Sequence, residues 1–159
     1  MGIIKTIMLA LAGIICNILA MAQTVDNAGN KSKPRLNHIA LQVTNLPKST
    51  LFYREILGLD TIPEPFHDGK HTWFAIGDGA QMHVIEAAFK PVIPLKHTHL
   101  CFSVASVPDF VEQLMQRNIE WEDWPGVKGT ITTRPDGVKQ IYFQDPDGYW
   151  VEVNDDKGS

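Results

Sequence analysis

An internal repeat is the feature that most constrains this chain. His38-Ile-Ala-Leu-Gln-Val-Thr-Asn-Leu-Pro47 aligns without a gap over His99-Leu-Cys-Phe-Ser-Val-Ala-Ser-Val-Pro108, at an offset of 61 residues. His38/His99, Val43/Val104 and Pro47/Pro108 are identical, and Ile39/Leu100, Leu41/Phe102 and Leu46/Val107 keep their apolar character. Each copy alternates as a strand does, with Ile39, Leu41 and Val43 on one face and His38, Ala40 and Gln42 on the other. Each then meets an N-cap residue, Asn45 or Ser106, with a proline two positions later, where a missing N–H costs little. Helices are predicted over 47–57, stopped by Gly58, and over about 107–117.

After each helix the apolar period returns to 2. Strands are predicted near 59–63, 71–77 and 80–87 in the first half, with Asp78-Gly79 as a turn. In the second half they are predicted near 119–124, 139–144 and 149–154, with Asp145-Pro146-Asp147-Gly148 as the turn. The expected fold is therefore α+β, with βαβββ occurring twice: modules of about 36–89 and 97–154, joined through the Pro-rich stretch 90–94, and a short tail at 155–159.

Polar residues inside these strands point to chemistry. His38 and His99 open the first strand of each half, and Glu86 and Glu152 lie near the end of each last strand. A carboxylate in an otherwise apolar strand is seldom buried unless it is paired or bound to a cation. Two histidines and two glutamates delivered by two halves form an N₂O₂ set suited to one Zn²⁺, Ni²⁺, Co²⁺, Mn²⁺ or Fe²⁺ ion per site. His97, two residues before His99 on the same strand face, is the competing ligand, and the repeat alignment selects His99. By parity His83 lies opposite Glu86 and is expected to be structural, while His67 and His71 sit in or beside a loop that could cover a cavity. Ala40, Met82, Cys101, Tyr142 and Trp150 are candidate cavity-lining residues, with interior packing as the competing reading.

The N-terminus reads as an address. Lys5, the apolar run Ile7–Ala20 and Ala20-Met21-Ala22 form the three parts of a secretory signal peptide, with cleavage expected after Ala22. A membrane anchor is the alternative for this segment. Cleavage leaves 13 basic against 18 acidic residues and Cys101 as the sole thiol. That mild acidity argues against nucleic acid as a partner, and a lone cysteine excludes a disulfide scaffold. The mature chain would act in the periplasm or outside the cell, without stable membrane insertion. Residues 23–35 are polar and small, as expected of a flexible lead-in.

Three motifs carry a family resemblance: His38-Ile-Ala-Leu-x-Val, Ser49-x-x-Phe52-Tyr53-x-x-x-Leu57-Gly58-Leu59, and Phe143-x-Asp145-Pro146-Asp147-Gly148-x-x-x-Glu152. Over residues 36–154 the chain resembles the vicinal oxygen chelate superfamily of glyoxalase I, extradiol dioxygenases, fosfomycin-resistance transferases, methylmalonyl-CoA epimerase and bleomycin-resistance proteins. The resemblance implies two tandem βαβββ modules whose curved mixed sheet surrounds a divalent ion held by His38, Glu86, His99 and Glu152. His/Glu/His/Glu is the pattern of glyoxalase I, which implies a lyase or isomerase that chelates a small oxygen-rich substrate. Glu86 or Glu152 would then leave the ion to act as the base. A metal-free small-molecule binder of bleomycin-resistance type and an Fe²⁺ extradiol dioxygenase are the rival readings. The resemblance also implies a homodimer, with metal sites either within one chain or completed between two.

Overall fold

A computed structural model describes residues 34–89, 91 and 95–158. The segments expected to be a signal peptide (1–22) and a lead-in (23–35) lie outside the described residues, apart from 34 and 35, as do residues 90 and 92–94 of the joining stretch. The elements run β1 (His38–Val43), α1 (Leu46–Glu55), β2 (Thr61–Ile62), β3 (His71–Ala75), β4 (Gln81–Glu86), β5 (Leu100–Ser103), α2 (Val107–Gln116), β6 (Thr132–Thr133), β7 (Lys139–Gln144) and β8 (Trp150–Asn154). They form two four-stranded mixed sheets, ordered β1-β4-β3-β2 and β5-β8-β7-β6. In each, the first strand pairs parallel with the last and the remaining pairs are antiparallel. This is the βαβββ unit, present twice.

Both helices begin where the caps place them. The Asn45 side chain accepts from the Lys48 backbone N–H at 2.9 Å, and Ser106 Oγ accepts from that of Asp109 at 3.3 Å. The strand expected near 119–124 does not form. Only Glu122 bridges there, to Lys128 and Tyr142, and the fourth strand of the second sheet is Thr132–Thr133. Asp123 explains the difference: its carboxylate accepts from the backbone N–H groups of Gly126 (2.9 Å) and Val127 (2.7 Å). That turns the chain before a ladder can extend.

One face of each sheet is closed by helix. Val43, Tyr53, Phe74, Met82 and Val84 form the buried cluster of the first module. Val107, Phe110, Val111, Leu114, Ile141, Phe143, Val151 and Val153 form that of the second. Phe52 and Leu57 of the first module pack against both clusters, so α1 and the turn after it join the two cores into one apolar layer.

The β7–β8 turn fastens that layer. Asp145 Oδ1 accepts from the backbone N–H groups of Asp147 (2.9 Å) and Tyr149 (2.8 Å), closing the turn, and Gly148 takes a φ of 97°. Asp145 Oδ2 accepts from the Tyr53 hydroxyl at 2.8 Å. Asp147 accepts from the Thr44 backbone N–H (2.9 Å), the Thr44 hydroxyl (2.6 Å) and the Ser49 hydroxyl (3.0 Å). Burial pushes the Asp145 carboxyl above the usual range, and the Tyr53 hydrogen bond is the largest of the opposing contributions. Tyr53→Phe should therefore lower stability by about 2 kcal/mol, the range for a bond to a charged group. In urea this appears as a lower midpoint at unchanged slope. An unchanged midpoint would show that this bond does not help hold the modules together.

Candidate metal centre

With one face of each sheet under helix, alternation assigns the opposite face to chemistry. In β8, Val151 and Val153 are core, so Trp150, Glu152 and Asn154 project from the open face. In β4, Met82 and Val84 are core, so Gln81, His83 and Ile85 do so. The triplets Met82-His83-Val84 and Val151-Glu152-Val153 are thus structural equivalents. The registers agree: Ala40 pairs with His83 as Cys101 pairs with Glu152, and Trp73 pairs with His83 as Tyr142 pairs with Glu152.

Two expectations are corrected by this register. Glu86 does not share the place of Glu152. It aligns with Val43 at the far end of β4 from His38, on the same strand face as Val84, and its Oε1 accepts from the Leu46 backbone N–H at 3.2 Å. There it satisfies an orphan donor at the positive end of α1. His83, expected to be structural, stands where Glu86 was expected. Met82 is fully buried in the apolar cluster and lines no cavity. The parity of apolar Met82 and Val84 was the available signal, because Glu86 shares it and His83 does not.

The second module presents a formed half-site. His99 Nε2 lies 3.0 Å from Glu152 Oε2, and the other ring nitrogen, Nδ1, is 2.7 Å from the Lys96 carbonyl oxygen. That contact commits Nδ1 to the backbone carbonyl, so Nε2 is the ring nitrogen that faces the carboxylate. Two donors each about 2.0–2.2 Å from one ion are about 3 Å apart, so this pair fits a divalent cation. Glu152 is only 7% exposed and well served: Tyr142 donates to Oε2 at 2.6 Å, and Asn154 (3.0 Å) and Cys101 (3.4 Å) donate to Oε1. Burial alone would raise its pKa, but these bonds, led by that of Tyr142, together with His99, hold it below the usual value. Burial and the adjacent carboxylate push the Cys101 thiol up to about 12, so it stays protonated.

Around this pair stands a wall of aromatic rings. Tyr142 lies edge-on to His99 with centroids 5.5 Å apart. The Lys96 ammonium sits 4.8 Å from the Trp150 ring centre and 5.6 Å from that of Tyr142, ion-paired to Glu122. Beside it opens a cavity of about 330 Å³ lined by residues including Trp121, Glu122, Lys128, Tyr142 and Trp150. Tyr142, Trp150 and Cys101 thus lie on the expected side of the second sheet, and Ala40 is exposed on the open face of the first. His97 does not join Glu152; its ring lies edge-on to Trp124 at 4.8 Å.

The first module presents imidazoles. His38 lies 5.2 Å from His83 and 5.6 Å from Trp73 between ring centroids, with Nδ1 bonded to Asn37 Oδ1 at 2.8 Å. His83 is 7% exposed, stacks on Trp73 at 4.2 Å, and has no hydrogen-bond partner at either ring nitrogen. Burial, followed by the neighbouring His38 and His71, lowers its pKa and keeps the ring neutral, the form that binds metal. Among the described residues of one chain, no third histidine, cysteine or carboxylate donor converges with the His99–Glu152 pair. Among the described residues, the group of at least three donors mutually within 4.8 Å is Glu64, Asp68 and His71.

The repeated βαβββ fold defines a class of protein, and residues 35–153 match the Glyoxalase/Bleomycin resistance protein/Dioxygenase superfamily. The chain belongs to that superfamily. It is 33% identical over 125 residues to the glutathione transferase FosA of Serratia marcescens, covering 75% of this chain and 79% of that protein. It is 24% identical over 135 residues to Glyoxylase I 4 of Arabidopsis thaliana, covering 80% and 75%. The crystal structure of the fosfomycin resistance protein FosX from Listeria monocytogenes shares the fold, with a TM-score of 0.61 at 23% identity over 77% of this chain and 93% of that one. The superfamily includes metal-dependent enzymes of the glyoxalase and fosfomycin-resistance types.

The Tyr142 bond generates a pH prediction. Metal binding through Glu152 requires the ionised carboxylate, and Tyr142 is the largest contributor holding its pKa down. Tyr142→Phe raises that pKa, so the acid limb of a metal-affinity-against-pH profile should move to higher pH, with the affinity near pH 8 little changed. A superimposable profile would remove Tyr142 from this role.

Proposed function

We propose that this chain is an exported, homodimeric, metal-dependent enzyme that chelates a small oxygen-rich substrate and activates it for attack by a nucleophile. The observation that carries the reading is the His99–Glu152 pair, spaced for a cation at 3.0 Å yet joined by no third donor among the described residues of its own chain. The complementary donors, His38 and the unpartnered His83, occupy the equivalent open face of the other module. Pairing the first module of one copy with the second module of another supplies His38 and His83 to His99 and Glu152. Large apolar side chains at both rims favour such docking: Phe66, 61% exposed beside His71 and Trp73, and Trp124, 39% exposed beside His99. Export is supported by the signal-peptide pattern of residues 1–22.

A divalent ion bound there supplies Lewis-acid polarisation of a substrate oxygen. The protein's own groups then decide the type of reaction. Glu152 accepts from three side chains and is held in its ionised form, so it is built to stay in place as a ligand rather than to swing away as a base. Glu86, the other carboxylate expected to act as base, is engaged at the start of α1. Addition therefore fits better than the proton abstraction of a glyoxalase-type lyase. With an ion held by these donors, a thiol or water would attack the carbon bearing the substrate oxygen, that C–O bond would break, and the released oxygen would take up the proton the nucleophile gives up.

Subunit exchange tests the shared site. His38→Ala and His99→Ala proteins should each bind metal at least tenfold more weakly than wild type, and mixing them should restore part of the loss, because some heterodimer sites then keep all four donors. His97→Ala should bind as wild type does. No recovery after exchange would confine any site to one chain. The reaction is tested by supplying the Mn²⁺- or Zn²⁺-loaded protein with fosfomycin and a thiol, in parallel with methylglyoxal and glutathione. Thiol adduct or diol from the first pair supports addition, whereas lactoylglutathione from the second would return the reading to a lyase.

A further inference from the structure

We propose that Lys96 is the positioning residue of the second half-site: its ammonium is keyed into the module so that its own backbone carbonyl holds the His99 ring toward Glu152. That role rests on the reading of His99 and Glu152 as donors to a cation. Glu152 lies inside the sheet, paired on one side with Cys101 and on the other with Tyr142. His99 has no such support. It precedes β5, whose first laddered pair is Leu100 with Val151, so the sheet fixes the backbone after the ring and not the ring itself. What holds the ring is the 2.7 Å contact of Nδ1 with the Lys96 carbonyl oxygen. The contact spans a turn in which the Thr98 backbone N–H donates to the Leu95 carbonyl at 2.8 Å. A fixed partner on one ring nitrogen is what aims the other at a metal.

The carbonyl is only as steady as residue 96, and the side chain of that residue supplies the anchor. An ammonium has three N–H donors. Here they meet the Glu122 carboxylate and the carbonyl oxygens of Asp123 (3.1 Å) and Trp124 (3.2 Å). The Trp150 and Tyr142 rings close the remaining side, with centres 4.8 and 5.6 Å away. The Lys96 and Glu122 side chains are 15% and 22% exposed, so solvent and salt screen this pair less than a surface one. Every donor is committed, which leaves the ammonium no part in holding a substrate oxygen. The cage is itself fixed to the sheet. Glu122 and Tyr142 exchange both backbone hydrogen bonds at 2.8 Å, and Tyr142 pairs in turn with Glu152. Lys96 therefore ties His99 to the same two strands that carry and serve Glu152.

Variants at the cage separate the anchoring of His99 from general support of the module. Lys96→Met keeps the aliphatic stem and the carbonyl but removes the ammonium. In metal-free wild type the His99 Nδ1–H, identified by its absence from His99→Ala, should give a ¹H–¹⁵N signal protected from solvent exchange. In Lys96→Met that protection should be lost. Co²⁺ affinity, read by absorbance titration, should fall about tenfold in Lys96→Met, the usual cost of losing a group that orients a ligand. It should fall no further when Lys96→Met is added to His99→Ala, because the effect acts through His99. Glu122→Gln disturbs the cage with Lys96 in place, so it keeps the test decisive if Lys96→Met protein does not fold. It should weaken Co²⁺ binding in the wild-type background and not in His99→Ala. Equal losses in both backgrounds overturn the proposal, as does a His99 signal equally protected in the cage variants. The reading of the metal centre fails by a different result, equal Co²⁺ affinity of wild type and His99→Ala, and the His99 signal then still decides the role of Lys96.

Discussion

The apolar layer centred on α1 fixes which side chains are left for chemistry. Phe52 and Leu57 touch both buried clusters, and the Asp145–Gly148 turn grips Thr44, Ser49 and Tyr53 from the other module. With one face of each sheet committed to that layer, the strand period of 2 dictates the rest. Met82, Val84, Val151 and Val153 go inward, so His83 and Glu152 go outward. Glu86, two residues past Val84, falls on the helix side and finds the start of α1 instead.

The repeat, both caps, both helices and most of the strands are legible in the sequence because each rests on a short-range rule. The Asn45 and Ser106 caps, the alternation of β1 and β5 and the Asp145-Pro146-Asp147-Gly148 turn involve neighbours in the chain. His99 and Glu152 are legible for the same reason, since both sit in strands with clean alternation. Glu86 misleads because it is a carboxylate near the end of the right strand, and residue type is a weaker guide than parity. Spacing offers no remedy. His38 and His83 are 45 residues apart and His99 and Glu152 are 53 apart, because the longer 118–138 segment intervenes in the second module. The strand lost at 119–124 belongs to that segment, where Asp123 captures two backbone donors that a ladder would need.

The two half-sites differ in kind. In the second module both Glu152 oxygens are answered, by Tyr142, Asn154, Cys101 and His99, although the Trp121 indole N–H and the Thr132 hydroxyl elsewhere in that module are not. In the first, His83 is buried among rings with both nitrogens unanswered, and the Trp73 indole N–H is unanswered as well. A satisfied carboxylate holds its geometry without further help. An unsatisfied imidazole instead carries a standing cost of about 1–3 kcal/mol that any suitable partner can remove.

That asymmetry bears on how the proposed open faces would meet. A partner at His83 would replace missing hydrogen bonds, whereas a cation at Glu152 would have to part its existing contact with His99. Engaging His83 would thus gain more than engaging a donor whose hydrogen bonds are already made. Glu152, held in its ionised form, then offers the negative charge that the all-imidazole face lacks. Charge neutralisation between the halves, added to covering Phe66 and Trp124, would give the two faces of the proposed dimer a reason to meet that neither has alone.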